Sequence, residues 1–271
     1  MSFERPAFHT ILIKGKRGNL FSVLYSAGGK KPNPTVLLLH GIPGNEQNED
    51  LAQELRRKGF NVLTFHYSGC FGSDGEYSLA NDLEDAETVL DFILNDNKFG
   101  LDKTKIFAVG HSLGSFVCGQ ILSKRKEIKA GVFITPCNIG RIFDIKSESP
   151  DLYRKTVEFL EESRLWLNGV KENQLLKELL KHKNDYPLES IAKQISTKPI
   201  LVVEGTLDEI TPPKYHSRPF INALKQQEYE YLQAVTLETD HFLSDMRIEL
   251  AESVCSFLKK FSWKPIKSML L

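Results

Sequence analysis

A chain of 271 residues is long for a single hydrophobic core and ordinary for one α/β domain carrying an insertion. Hydrophobic residues make up 41% and charged residues 26%, the balance of a common globular protein. The 35 Lys and Arg equal the 35 Asp and Glu, so composition offers no basic face for nucleic acid. No stretch reaches the roughly 18 to 20 apolar residues that span a bilayer, which argues against membrane insertion.

The chain opens Met1-Ser2-Phe3-Glu4-Arg5-Pro6, charged at once and without an apolar run of signal-peptide length. That start predicts a cytoplasmic protein. Phe8 to Lys14 and Leu20 to Ser26 read as strands joined by the hairpin-like Gly15-Lys16-Arg17-Gly18-Asn19. Thr35 to Leu39 is continuously apolar, the mark of a strand buried on both faces, as in parallel sheets. Strands and helices then alternate. Asn48 to Lys58 is a predicted helix stopped by Gly59, Asn61 to Tyr67 a strand, and Asp82 to Leu94 a helix with Leu83, Ala86, Leu90 and Ile93 on one side. Lys105 to Val109 reads as a strand, Leu113 to Lys124 as a helix and Ala130 to Thr135 as a strand. Pro199 to Glu204 is a strand followed by a helix from about Lys214. Leu232 to Leu237 is a strand and Ser244 to Phe261 the last helix. Strands spaced by such helices imply a mostly parallel central sheet with helices on both faces.

The alternation breaks over residues 138–195, a charged and mostly helical stretch. Tyr153, Val157, Leu160 and Leu167 share one helical face there, and Leu175, Leu176, Leu179 and Leu180 form a second stripe. The expected organisation is a core of residues 1–137 and 196–271, with 138–195 inserted as a helical cap over the C-terminal edge of the sheet. Ligands bind at that edge in open α/β sheets. Phe143, Tyr153 and Trp166 are candidates for lining a pocket beneath the cap, against the alternative that they form its own core. Cys70, Cys118, Cys137 and Cys255 are scattered, lack the pairing of a zinc or redox motif, and read as reduced thiols. The tail Trp263 to Leu271 carries apolar residues that suit packing on the domain or on a second subunit, so a homo-oligomer stays open.

Gly110-His111-Ser112-Leu113-Gly114 lies between a predicted strand and a predicted helix. A bare Gly-x-Ser-x-Gly is common by chance, but on a strand-turn-helix it describes a sharp turn that lifts a serine clear of the sheet. The helix behind it offers free N–H groups and the positive end of a dipole. Ser112 is therefore the expected nucleophile. This pentapeptide, His40-Gly41-Ile42-Pro43-Gly44, Tyr67-Ser68-Gly69-Cys70-Phe71-Gly72-Ser73-Asp74-Gly75 and Asp240-His241-Phe242 together resemble the α/β-hydrolase superfamily over nearly the whole chain from Phe8 to Phe261. The sequence looks most like the esterase, acylaminoacyl-peptidase and feruloyl-esterase-like branch. Those relatives often carry arginine where Ser68 or Cys70 stands, so a substrate role tied to that arginine is not carried over.

Acyl transfer places negative charge on the former carbonyl oxygen, which preorganised N–H donors stabilise. The residue after the nucleophile, Leu113, supplies one. The second belongs to the loop His40 to Gly44, where Pro43 has no N–H and the resemblance points to Ile42. His40 is read as ordering that loop. Serine also needs a general base, a task that suits histidine with its unperturbed pKa of about 6.5. The fold's chain order of serine, acid and histidine leaves His182, His216 and His241. His182 falls in the cap and His216 near a helix start, where it reads as surface. His241, in a loop before the last helix, is the expected base. Asp208 in Gly205-Thr206-Leu207-Asp208-Glu209 is the expected acid, with Glu209 and Asp240 as competitors. The function expected is hydrolysis of a carboxylic ester through an acyl-enzyme on Ser112, with no metal or organic cofactor. The alternatives are an acylaminoacyl-type peptidase, a long-chain lipase and a non-catalytic binding protein on the same fold.

Overall fold

The structure, a computed structural model, describes residues 4–227 and 231–262. The apolar tail from Trp263 onward lies outside the described residues. Eight strands form one sheet: β1 (Ala7–Gly15), β2 (Gly18–Ser26), β3 (Asn33–Leu39), β4 (Asn61–Phe65), β5 (Leu101–His111), β6 (Ile128–Ile134), β7 (Ile200–Gly205) and β8 (Leu232–Leu237). Their spatial order is β1-β2-β4-β3-β5-β6-β7-β8. β2 runs antiparallel to both β1 and β4, and every other neighbouring pair is parallel. The β1–β2 hairpin turns at Lys16-Arg17, with Gly15 opposite Gly18.

The unbroken apolar runs are explained by two cores, one on each face of the sheet. Leu37 and Leu39 of β3 enter a core that includes Ala86, Val89 and Leu90 of α2 (Leu79–Asn95) and Phe116 and Val117 of α3 (Leu113–Lys124). Val36 and Leu38 point the other way, toward Leu51 and Leu55 of α1 (Glu49–Arg57) and Leu250 and Val254 of α9 (Arg247–Ser262). Because strand side chains alternate, one five-residue run serves both cores. Each such side chain contributes roughly 1.5–3 kcal/mol over remaining exposed. α1 shows how the helices are bounded. Glu49 and Asp50 lie in its first turn and Arg56 and Arg57 in its last, matching the helix dipole. It ends at Gly59, whose φ of 96° is the left-handed geometry that glycine adopts freely.

Between β6 and β7 the chain is helical, with α4 (Ile142–Glu148), α5 (Pro150–Ser163), α6 (Gln174–Lys181), α7 (Ala192–Ile195) and three short 3-10 turns. Leu160, Leu167, Leu175 and Leu179 are buried, whereas Leu180 and Trp166 face solvent. The second stripe is thus narrower than its spacing predicts, because α6 is only eight residues long and buries one edge. After β7 comes α8 (Ser217–Lys225). No described helix is long and apolar enough to cross a membrane.

Candidate active site

Parallel strands end at a common rim, and β3, β5, β6, β7 and β8 deliver their following loops there. His40 to Gly44 leaves β3, Ser112 follows β5, Thr135 follows β6, Asp208 follows β7 and His241 follows β8. Ser112 sits at φ 54° and ψ −121°, a conformation that costs a non-glycine residue about 1–3 kcal/mol. Backbone bonds hold it there: its N–H donates to Ile134 O at 2.9 Å, and its C=O accepts from Ser115 N at 2.9 Å and Cys137 N at 3.0 Å. The flanking glycines are required by contact. A Cβ on Gly110 would lie 2.1 Å from Gly114 O, and one on Gly114 would lie 2.1 Å from Leu39 O.

Asp208 and His241 meet. The Nδ1–H of His241 donates to Oδ2 of Asp208 at 2.8 Å, with the two side chains 5% and 1% exposed. This tautomer follows from the acceptor-only carboxylate and leaves Nε2 with its lone pair. The Asp208 carboxylate accepts three further bonds, from Ile210 N (2.9 Å) and Thr211 N (2.7 Å) to Oδ1 and from the Thr211 hydroxyl (2.8 Å) to Oδ2. Burial pushes its pKa up, but the bonds from His241 and Thr211 and the nearby imidazole outweigh burial and hold the carboxyl below its ordinary value. The carbonyl of His241 is fastened too, by Thr135 Oγ1 at 2.9 Å and by His111 Nε2–H at 3.2 Å. Ser112 and His241 line one small recess of about 20 Å³ with Gly41, Ile42, Phe159 and Phe242. Among the described residues the Ser112 hydroxyl makes no hydrogen bond to His241. Such bonds are often long in an unliganded site and tighten when substrate binds.

Among the described residues neither competing acid bonds the His241 ring, though Glu209 borders the pocket beside Ser112. Glu209 is exposed. Asp240 closes its own loop, accepting from Phe242 N at 3.0 Å, Ser244 N at 2.9 Å and Ser244 Oγ at 2.7 Å. His40 is buried, with Nδ1–H donating to Gly41 O at 2.6 Å and Nε2 accepting from Tyr67 N at 3.4 Å. Burial, with a smaller effect of His66, lowers its pKa to about 3, so it serves as a neutral strut in the loop carrying Ile42. Ile42 and Leu113 flank Ser112 in a shared pocket, and among the described residues neither N–H donates to a protein acceptor. His216 corrects a reading from sequence. It is not on the surface but 2% exposed, because the loop at Asn138 folds over it and donates Asn138 N–H to its Nδ1 at 3.1 Å.

Residues 34–170, half of the chain, match the family described as alpha/beta hydrolase fold. The chain belongs to that family. Solved structures agree on the fold of this α/β hydrolase. An esterase of Pyrococcus furiosus superposes with a TM-score of 0.72 at 18% identity, covering 95% of this chain and 92% of the other. The α/β hydrolase GrgF of a Penicillium species gives 0.72 at 16% identity, covering 94% and 99%. A puromycin-hydrolysing peptidase of Mycobacterium tuberculosis gives 0.71 at 15% identity over 95% of this chain, which spans only 40% of that peptidase. An alignment of 127 positions covering 44% of the chain is 24% identical to a multifunctional-autoprocessing repeats-in-toxin protein of Vibrio vulnificus and spans 2% of its length.

In this α/β hydrolase the larger pocket beside Ser112 has a volume of about 230 Å³. One wall is helix α5, which turns Leu152, Lys155, Thr156, Phe159 and Leu160 toward it, the spacing of one helical face. The opposite wall combines Ile42, Leu113, Cys137, Ile139, Ile210, Thr211 and His216. Phe143 and Tyr153 pack against the core instead, and Trp166 is 65% exposed. None of these three lines the pocket; Phe159 is the aromatic that does. The residues missed from sequence are Thr135, Thr211, His111 and His216. Only Thr211 left a trace there, as a residue three positions after Asp208, a spacing at which an Asp side chain can accept from a following N–H as helix caps do.

Proposed function

We propose that the protein is a serine hydrolase that cleaves a carboxylic ester through an acyl-enzyme on Ser112. The observation carrying this reading is the buried 2.8 Å bond between His241 Nδ1 and Asp208 Oδ2, beside a serine held at a positive φ on the same rim. In this mechanism Nε2 of His241 takes the Ser112 proton as Oγ attacks the ester carbon. Asp208, ionised and fully bonded, steadies the imidazolium without taking its proton. The tetrahedral oxyanion forms between the N–H groups of Leu113 and Ile42, each worth roughly 3–4 kcal/mol of barrier in a comparable site. His241 returns the proton to the leaving alcohol, and water repeats the sequence on the acyl-enzyme.

The two cavities divide the substrate. The small recess, with room for about one water, contains His241, which must reach the leaving oxygen, so that oxygen lies against it and the rest of the alcohol projects toward solvent. The larger pocket lacks His241 and holds the acyl group. Its volume of about 230 Å³ lies below the roughly 300–1,000 Å³ usual for ligand pockets, which favours small to medium acyl groups over long chains. Residues 138–195 act as the cap, since α5 supplies a wall of that pocket. A fluorophosphonate probe should label Ser112 and leave Ser112→Ala unlabelled, and chromogenic short-chain esters should turn over faster than aminoacyl anilides. Wild-type turnover by folded Ser112→Ala would refute the assignment; faster anilide cleavage would move the reaction to the peptidase class.

A further inference from the structure

The insertion leaves the core and returns to it at one place, and one side chain joins the two ends. Asn138, the residue after Cys137 of the pocket lining, is fully buried. Its Oδ1 accepts from Leu188 N at 2.9 Å, and its Nδ2 donates to Glu189 Oε2 at 2.6 Å and to His216 O at 3.4 Å. Its backbone N–H donates to His216 Nδ1 at 3.1 Å, and its C=O accepts from Arg141 N at 3.0 Å. The two ends also touch at Gly140, where a Cβ would lie 2.1 Å from Pro187 N. The returning end sits on the helix that follows the nucleophile. Gln120 Nε2 of α3 donates to Asp185 O at 3.1 Å. A Cβ on Gly119 of α3 would lie 2.9 Å from Leu188 Cδ2 and 2.8 Å from Ile191 Cδ1. The outgoing end is a wall of the pocket: Cys137 and Ile139, on either side of Asn138, both line it, and Cys137 N–H donates to Ser112 O at 3.0 Å. An amide can accept from a backbone N–H and donate to a carboxylate at once. Through the Asn138 amide this wall is located against α3, and so against Ser112.

We propose that Asn138 is a positioning residue that closes the neck of the insertion and holds the wall of Cys137 and Ile139 in place beside Ser112, so that the pocket's grip on longer acyl chains depends on it. The proposal rests on the reading that Ser112 takes up the acyl group and that this pocket holds it.

The test uses the full chain with p-nitrophenyl acetate and hexanoate, whose uncharged acyl groups make no ion pair with Lys155 or Glu209 of the same lining. The readout is the hexanoate-to-acetate ratio of kcat/KM. A two-carbon acyl group stays beside Ser112, whereas six carbons lie along the walls, so a shifted wall acts on the longer ester and mostly through KM. Loss of folded enzyme lowers both esters alike and leaves the ratio unchanged. Asn138→Asp keeps the acceptor for Leu188 N but sets a second carboxylate against Glu189, and should lower the ratio about tenfold. Adding Glu189→Gln supplies the missing donor and keeps an oxygen for Arg141, and should return the ratio to within about threefold of wild type. Glu189→Ala, at a partly exposed position, removes the acceptor of Nδ2 and should lower the ratio about threefold. An unchanged ratio in folded Asn138→Asp, or a double variant no better than Asn138→Asp alone, overturns the proposal. If no Asn138 variant folds, an unchanged ratio in Glu189→Ala overturns it. A wild type that cleaves acetate and not hexanoate overturns it too, while the serine-hydrolase reading stands. If the wild type hydrolyses neither ester and takes no fluorophosphonate label, it is the serine-hydrolase reading that fails, and the proposal falls with it.

Discussion

Gly114→Ala is the smallest change that should separate the elbow from the loop opposite it. The added Cβ would lie 2.1 Å from Leu39 O, 2.6 Å from Leu39 C and 2.7 Å from His40 O. Real Cβ contacts stay above 3.0 Å, so about 0.9 Å of movement is required. All three atoms are backbone, and β3 is hydrogen-bonded to β4 on one side and β5 on the other. The strand is therefore the fixed partner, and the start of α3 must retreat. Ser112 and the Leu113 N–H travel with it, away from the loop carrying Ile42. A misplacement of about 1 Å costs roughly a hundredfold in rate when it separates groups that must act together, and overpacking costs about 1–3 kcal/mol of stability. Ester turnover should accordingly fall by roughly two orders of magnitude, with the urea midpoint lowered. Gly131→Ala is the control. Its Cβ meets Leu122 Cδ2 at 2.7 Å, the movable end of a side chain, so turnover should change much less. Gly114→Ala with turnover within threefold of wild type and an unchanged urea midpoint would refute the reasoning, threefold being about 0.7 kcal/mol of barrier.

Asp208→Asn replaces a carboxylate that accepts four bonds with an amide that cannot accept them all, and should lower kcat by roughly 10³–10⁴ with KM little changed; a loss under tenfold would argue against its role. The buried His111, lowered to about 3 chiefly by burial, stays neutral in the fold while its unfolded form charges below about pH 6.5. Its folded pKa is depressed, so the unfolded state binds the extra proton and the wild type loses about 1.4 kcal/mol between pH 7.5 and 5.5 from this residue. The stability gap between wild type and His111→Asn, measured by urea unfolding, should shrink by that amount at the lower pH; a constant gap would contradict it. Asp82 behaves in the opposite sense. Burial raises its pKa well above the usual carboxylate range, the Tyr77 hydroxyl lies 2.9 Å from Oδ2, and Oδ1 has no partner. Its protonated form favours the fold at low pH and that contribution is lost as pH rises, so Asp82→Asn should gain on the wild type between pH 5.5 and 7.5, and an unchanged difference would show the carboxyl to be already ionised.

Sequence made the sheet legible because β3, β6, β7 and the 106–111 half of β5 are buried on both faces, which leaves short apolar runs bounded by turn residues. The meeting of Asp208 with His241 was legible for a related reason: each follows a strand that ends at the same rim, so chain order stands in for proximity. What chain order cannot convey is how loops from different strands close over one another. His216 has the local pattern of a surface residue before a helix, and it is buried only because Asn138, 78 positions away, reaches across it. Thr135 and His111 fasten the His241 carbonyl from 106 and 130 positions away. In α5 the hydrophobic spacing identified a helix but not which side faces the cavity. Lys155 and Thr156 line it and Tyr153 does not, because the helix packs against core on one side and borders open space on another.

On the proposed reading, the proton-handling groups and one wall of the acyl pocket have different owners. The former sit on loops bolted to strand ends by backbone bonds, while a whole wall of the acyl pocket belongs to α5, a helix inside the insertion between β6 and β7. That segment can be exchanged for another of similar length without disturbing a single bond to Asp208 or to the His241 ring. Under the proposed mechanism, rewriting that one stretch would reshape the α5 wall of the pocket and leave the facing wall and the proton path as they are.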